Sequence, residues 1–262
     1  MIQESCFQLV HRKDSRRTGT AVLVFPGLVP TYSDLEDEAK ILLRFGDVLE
    51  FHYPETKVDI QDLYQSITQT LKELKYKRVI LFGVSFGGTL VYLLLRYWKH
   101  HRIDLGVKCF VAMSTPFQPE NLTPMSQFKL DFGKSLDQFS RKIFVWLIRV
   151  LRWLFFWSPS HDALYARENS FRQVLNALWV GNSTLGQNWL VKQKLLHPPA
   201  LLLNTRDGVI DRFVKRENEV DFLDVFPRGR IIRGLGNHAN IKQLSTSGRR
   251  ELGEFIAAAL RG

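Results

Sequence analysis

The stretch Lys77-Arg78-Val79-Ile80-Leu81-Phe82-Gly83-Val84-Ser85-Phe86-Gly87-Gly88 constrains this chain more than any other. Val79 to Phe82 is a short run of β-branched and large apolar residues, a strand pattern entered from two cations. The chain then reads Gly-x-Ser-x-Gly-Gly and passes into Thr89-Leu90-Val91-Tyr92-Leu93-Leu94-Leu95-Arg96, which is helical in character. A serine held between a buried strand and a helix must sit on a very sharp turn. Side chains at 83 and 87 would collide there with the neighbouring strand and helix, and both positions are glycine. Such a turn exposes the serine, faces backbone N–H groups toward an anion, and sets both at the positive end of a helix dipole. The same residues also fit a Gly-rich turn that merely joins strand to helix, so the rest of the chain must agree before the serine is read as a nucleophile.

Cys6-Phe7-Gln8-Leu9-Val10 alternates weakly, as an edge strand does, and His11 to Thr18 is basic and turn-like. Thr20-Ala21-Val22-Leu23-Val24-Phe25 is a continuous apolar strand ended by Pro26-Gly27-Leu28-Val29-Pro30. Ser33 with Glu36 forms a capping-box pattern for a helix that runs to about Phe45 and stops at Gly46. Val48 to Pro54 reads as a strand, and Asp59 to Leu74 as an amphipathic helix with Ile60, Leu63, Tyr64, Ile67, Leu71 and Leu74 on one face. After the serine turn and its helix comes a strand over Val107–Met113. Strand pattern returns only at Ala200–Asn204 and Arg230–Arg233, and a terminal helix begins at about Ser247. Strands alternating with helices predict α/β architecture: a doubly wound, mainly parallel sheet covered on both faces. Ligands of such sheets bind beyond the carboxyl ends of the strands, where both Pro26-Gly27-Leu28 and Ser85 fall.

In that context the Gly83–Gly88 turn resembles the nucleophile elbow of the α/β-hydrolase family, and the resemblance covers essentially the whole chain outside one long insertion. It implies a core formed by residues 1–116 and 195–262. It also implies a helical cap at 117–194, inserted after the sixth family-type strand. A serine hydroxyl is a poor nucleophile near neutral pH and needs a base, usually a histidine oriented by a carboxylate. The family orders these as Ser, acid, His. Of the seven histidines, His238 lies in Gly234-Leu235-Gly236-Asn237-His238-Ala239-Asn240, directly after the last predicted strand. That segment resembles the family's histidine loop; its other reading is an ordinary surface loop. His52 reads as lining the core or the rim of the site, and His100-His101 as the end of a cationic helix. His161 and His197 have no strand to position them, and His11 is surface-like. For the acid, Asp207 followed by Gly208-Val209-Ile210 matches the family's spacing after an apolar strand. Asp211 reads more naturally as an N-cap to Arg212-Phe213-Val214-Lys215. Some members carry the acid after the sixth strand, but here that position reads Met113-Ser114-Thr115-Pro116, without a carboxylate.

An oxyanion needs preorganised N–H donors, each worth on the order of 3 kcal/mol of barrier. The resemblance assigns one to the backbone N–H of Phe86. The second belongs in the loop after the Val22–Phe25 strand, where the family usually has His-Gly before the donor. Here the loop is Phe25-Pro26-Gly27-Leu28, with proline in place of that histidine. Leu28 N–H is the matching donor, since a backbone group does not require the histidine; otherwise Pro-Gly-Leu is only a strand-ending turn. The implied chemistry is two-step acyl transfer through an acyl-enzyme, with no metal and no cofactor. The expected substrate is a hydrophobic or lipid-like ester, with a thioester close behind. Acyl transfer to another acceptor, amide or C–C cleavage, and a catalytically silent binding role all remain open.

The most unusual composition is Ile143 to Trp157, bulky apolar residues broken by Arg149 and Arg152. It is too short to span a bilayer. It suits a membrane interface, the underside of a cap that lines an acyl pocket, or a helix buried in its own domain. Thirty-six Lys+Arg against 26 Asp+Glu give a net charge of +10, which favours anionic partners or reflects a generally solvated basic surface. The basic residues form no nucleic-acid-binding motif, so no nucleic-acid partner is expected. The partners expected are an acyl substrate and a peripheral membrane surface met through the cap. Cys6 and Cys109 have no metal or redox spacing and are expected reduced. With no signal-peptide pattern at Met1–Ser5, a cytoplasmic location is expected.

Overall fold

The computed structural model describes residues 8–12, 19–27, 39–52, 60–117, 121–123, 194–211, 214–236 and 241–262. In chain order these form β1 (Gln8–Arg12), β2 (Thr20–Phe25), β3 (Asp47–His52), α1 (Ile60–Glu73), β4 (Arg78–Val84) and α2 (Phe86–His100). There follow β5 (Val107–Met113), β6 (Ala200–Thr205), α3 (Asn218–Val225), β7 (Arg230–Leu235) and α4 (Thr246–Arg261). The seven strands make one sheet in the order β1-β3-β2-β4-β5-β6-β7. Only β1 runs antiparallel, on β3; the other five pairings are parallel. From β2 the chain first steps outward to β3 and then crosses back to place β4 on the other side of β2. That reversal opens a crevice between the carboxyl ends of β2 and β4, the general ligand position of such sheets.

The parallel strands read as nearly unbroken apolar runs because both faces are buried. Alternate residues divide cleanly. Ala21, Leu23, Phe25, Leu49, Phe51, Val79, Leu81, Phe110, Ala112, Ala200 and Leu202 pack with Tyr64, Ile67 and Leu71 of α1, Leu90 to Leu95 of α2, and Phe222 of α3. Val22, Val24, Val48, Ile80, Phe82, Cys109, Val111, Met113, Leu201 and Leu203 face the other way, against Ala39, Leu42 and α4 through Leu252, Phe255 and Ile256. A one-residue slip in any of these strands would exchange its two faces, so the helices on either side hold the register. Gly46 ends the helical turn over 39–42 where a Cβ would stand 2.4 Å from the Thr20 carbonyl oxygen.

Most expected elements appear within a residue or two, and two differ. Asp211 Oδ1 accepts the Val214 N–H at 3.1 Å, as a cap would. Val214, where the expected helix would continue, instead forms an antiparallel bridge to Leu122, while 212–213 lie outside the described residues. The helix of this region begins later, at Asn218, and was not legible because its exposed face carries Val220 and Leu223 among acids, which blurs its apolar stripe. Between β5 and β6 the described residues are Ser114–Phe117, 121–123 and 194–199. Phe117 is fully buried against Tyr92, Phe222 and Phe226. Most of the 117–194 segment, including Ile143–Trp157, lies outside the described residues. Among them, no helix is long and apolar enough to cross a membrane.

Cys109 is wholly buried in β5, and burial pushes its thiol up to about 12. A thiol with a raised pKa stays protonated and unreactive at pH 8. In a Cys6→Ser background, a chromogenic disulfide reagent at pH 8 should therefore titrate no thiol in native protein and one per chain in urea.

Candidate active site

The site begins with close backbone approach. Ser85 lies between β4 and α2 at φ 50°, ψ −119°, a conformation that L-residues rarely adopt and that costs on the order of 1–3 kcal/mol. The turn persists because its surroundings leave no alternative. Its N–H donates to the Met113 carbonyl at 2.7 Å, and its own carbonyl accepts the Gly88 N–H at 3.0 Å. A Cβ on Gly83 would stand 2.3 Å from Gly88 Cα, and one on Gly87 would stand 2.2 Å from the Phe25 carbonyl oxygen. Gly88 is closed off in the same way by Thr115, whose Oγ1 would be 1.9 Å away. Each of the three glycines is required by a neighbour rather than by the turn alone.

Ser85 is half-buried and its side chain makes no capping bond to α2. A Cβ on Gly27 would lie 3.5 Å from Ser85 Cβ, so the loop after β2 runs directly beside the serine. Phe86 opens α2, where first-turn N–H groups have no acceptor within the helix. Gly27 and Phe86 thus flank Ser85 from two sides, while Leu28 lies outside the described residues.

Asp207 stands in the turn two residues past the end of β6, on the same carboxyl-end edge of the sheet as Ser85. Its side chain is 78% exposed and is ion-paired with the Arg216 guanidinium. Asp211 is buried and holds Val214. His238 belongs to 237–240, outside the described residues, three positions after β7 ends at Leu235. The other histidines can be sorted by sheet edge. His11 lies 3.0 Å from the Tyr76 hydroxyl, which donates to Asp47 at 2.7 Å, near the amino ends of β3 and β4. His100 and His101 end α2, the helix that starts at the serine, and exposed His197 precedes β6. These four stand at the amino-end edge, away from Ser85. His52 closes β3, parallel to β2, and so falls on the serine side of the sheet, as does the carboxyl end of β7, which His238 follows in sequence; His161 and His238 themselves lie outside the described residues.

A buried polar network joins the elbow to the acid turn, and no motif announced it. Thr89 Oγ1 donates to the Pro116 carbonyl at 2.7 Å, and Asn218 Nδ2 donates to the Thr115 carbonyl at 2.9 Å. Asn204, at the end of β6, donates to Asn218 Oδ1 at 3.2 Å and to Glu219 Oε1 at 3.0 Å. Arg233 of β7 grips Glu219 with Nε at 3.1 Å from both oxygens and Nη2 at 2.6 Å from Oε2. Burial alone would raise the Glu219 pKa, but hydrogen bonds from Arg233 and Asn204, with the charges of Arg233 and Arg216, outweigh it and hold it below the usual carboxylate value. The one visible signal was Asn204, a polar residue closing an otherwise apolar strand. Among the described residues no group of His, Cys, Asp and Glu could hold a metal ion.

No protein-family model and no curated protein matches the chain. Solved structures do. The type II thioesterase BorB from the borrelidin biosynthetic cluster superposes with a TM-score of 0.60 at 17% identity, over 94% of this chain and 97% of that one. A thermophilic esterase from Thermogutta terrifontis gives 0.62 at 12% identity, over 97% and 93%. The fold is that of the α/β-hydrolases. A Bacillus megaterium epoxide hydrolase shares the α/β-hydrolase fold equally, at 0.59 and 13% identity over 98% of this chain and 97% of that one.

Two outcomes test this construction. Gly87→Ala should cost about 3 kcal/mol or more, or yield no folded protein, as read from the urea midpoint. Glu219→Gln should cost about 1–2 kcal/mol at pH 7 by weakening its hold on Arg233. Because the folded carboxyl titrates below its unfolded value, its contribution is present above about pH 4.3 and is lost as pH falls through the lower folded value. The stability gap between wild type and Glu219→Gln should therefore narrow as the pH is lowered, as urea midpoints taken from pH 7 downward into acid will show.

Proposed function

We propose that this chain is a serine hydrolase that cleaves a carboxylic ester with a hydrophobic acyl group. The observation that carries the reading is Ser85 itself: a strained, non-glycine residue at the head of α2, beside Gly27, with a hydroxyl that does not cap its helix. A hinge turn would be satisfied by glycine at that position. Lys75, Arg102 and Ser114 also have positive φ, but only Ser85 stands between a strand end and a helix head beside Gly27, and strain of this kind clusters at active sites.

In this reading His238 removes the Ser85 proton as the oxygen attacks the ester carbonyl. The N–H groups of Phe86 and Leu28 receive the oxyanion, and Asp207 orients the imidazole and balances its charge. Collapse expels the alcohol with the proton from His238, leaving an acyl-enzyme. Water, deprotonated by His238, then releases the acid and restores Ser85. The 117–194 segment, with its aromatic stretch Ile143–Trp157, is the proposed source of the acyl-binding surface and of contact with a membrane face. A thioester is cleaved by the same two steps, and solved structures of this fold include both an esterase and a thioesterase.

The test is hydrolysis of p-nitrophenyl esters from short to long chain, alongside an acyl thioester, with fluorophosphonate labelling. Ser85→Ala should abolish both turnover and labelling, and Asp207→Asn should lower kcat by about 10²–10⁴. Folded wild type that is neither labelled nor active on either class would overturn the reading in favour of a binding protein.

A further inference from the structure

β4, β5, β6 and β7 are consecutive neighbours in the sheet, and the chain enters each of them at the amino-end edge. The entry segments are 72–78, 99–108, 194–199 and 227–230, together 27 residues. They hold ten Lys and Arg against two acids, Glu73 and Asp104, and so carry eight of the chain's ten net positive charges. The basic balance is therefore gathered on one face rather than spread over the surface. The segments are in contact: Val79 N–H donates to the Gly106 carbonyl at 3.0 Å, and Lys99 Nζ to the Lys194 carbonyl at 3.1 Å. Lys108 is half-buried and the other nine cations are exposed. Among the described residues none of these nine forms an ion pair. Both acids are engaged within their own segments, Glu73 accepting from Gln69 Nε2 at 2.7 Å and Asp104 from Gly106 N–H at 2.9 Å. The carboxyl ends of α1 and α2 lie on this edge, and cations there are favoured by the helix dipole. That accounts for Lys72, Lys99 and Arg102, but not for Lys77, Arg78 and Arg230 at the strand starts. Like charges gathered without acids repel one another and weaken the fold, a cost that an anionic partner relieves.

We propose that this amino-end face is a contact surface for an anionic lipid membrane. The exposed apolar residues among the cations favour lipid over other polyanions. Leu74, beside Lys75, is 39% exposed, and Leu196, between Lys194 and His197, is 54% exposed. At a bilayer surface cations meet the phosphate and carboxylate headgroups while neighbouring apolar side chains enter the acyl boundary. A nucleic acid would use rings to stack on its bases. The tyrosines of this face are half-buried and engaged: Tyr76 donates to Asp47, and Tyr97 packs between Tyr64 and His101. Ser85 follows the far end of β4, roughly 20 Å away by strand rise. A chain bound through the amino-end face therefore presents Ser85 to water and not to the bilayer. This contact is separate from the one proposed for 117–194 and stands apart from the serine-hydrolase reading.

The experiment is co-sedimentation of the full chain with vesicles of phosphatidylcholine, alone or with about 30% phosphatidylserine. Wild type should bind the anionic vesicles at about 0.1 M salt, leave the neutral ones unbound, and dissociate at about 0.5 M salt. Combining Lys75→Gln, Lys77→Gln, Arg228→Gln and Arg230→Gln should lower the affinity on the order of 10²–10³-fold. The urea midpoint of that variant should hold or rise, because repulsion is relieved. Leu196→Cys in the Cys6→Ser background, labelled with a polarity-sensitive dye, should shift its emission to the blue on anionic vesicles. Equal binding to both vesicle types, or full binding by the charge variant, would overturn the proposal; the second result would place the contact elsewhere on the chain. An unchanged dye emission on bound protein would overturn it as well. Tighter binding to single-stranded poly(U) than to anionic vesicles at the same salt, lost in the charge variant, would replace the membrane with a nucleic acid.

Discussion

The approach of the α2 backbone to the end of β2 governs the rest of this molecule. At Gly87 the helix comes so near the Phe25 and Pro26 carbonyls that a single added carbon would lie 2.2 Å from one and 2.4 Å from the other. That contact draws the head of α2 over the sheet edge and forces the chain to reverse within one residue after Val84. Ser85 takes the strained conformation that results. Its strain is offset by the core around it: Val79 to Phe82 and Leu90 to Leu94 are essentially excluded from water. Apolar burial at about 25 cal/mol per Å² makes a local cost of a few kcal/mol sustainable.

Around that point the site is assembled from strand ends. β2 delivers Gly27, β4 delivers Ser85, β5 accepts the Ser85 N–H through Met113, and β6 delivers Asp207. Because parallel strands finish on one edge, residues remote in sequence arrive on the same side of the sheet without a long-range motif. The helices pack on the two faces and leave this edge to the loops.

The buried polar network is a different kind of device from the apolar core. Asn204, Asn218 and Glu219 are 2%, 0% and 7% exposed, so each unmet hydrogen bond would be costly. Every link described has a partner, and the partners lie on different elements: Thr115 after β5, Asn204 on β6, Arg233 on β7. Apolar contacts would tolerate sliding of α3 along the sheet. Directional bonds to three elements do not, and this fixes the turn that carries Asp207 relative to the elbow.

The sequence by itself determined the alternation of strands and helices, the parallel sheet, and the sharp turn at Ser85, because apolar periodicity and glycine placement are local signals. Asp207 and His238 became candidates through the resemblance of their segments to the acid and histidine loops of the α/β-hydrolases, and His238 and Leu28 fall outside the described residues. Tertiary structure alone decided which neighbours make Gly83, Gly87 and Gly88 necessary, and that the Val214 held by Asp211 bridges to Leu122. It alone paired Arg216 with Asp207 and joined Glu219 to Arg233. Such pairings unite residues on different elements, and their hydrogen bonds leave no periodicity along the chain; only folding brings the partners within reach.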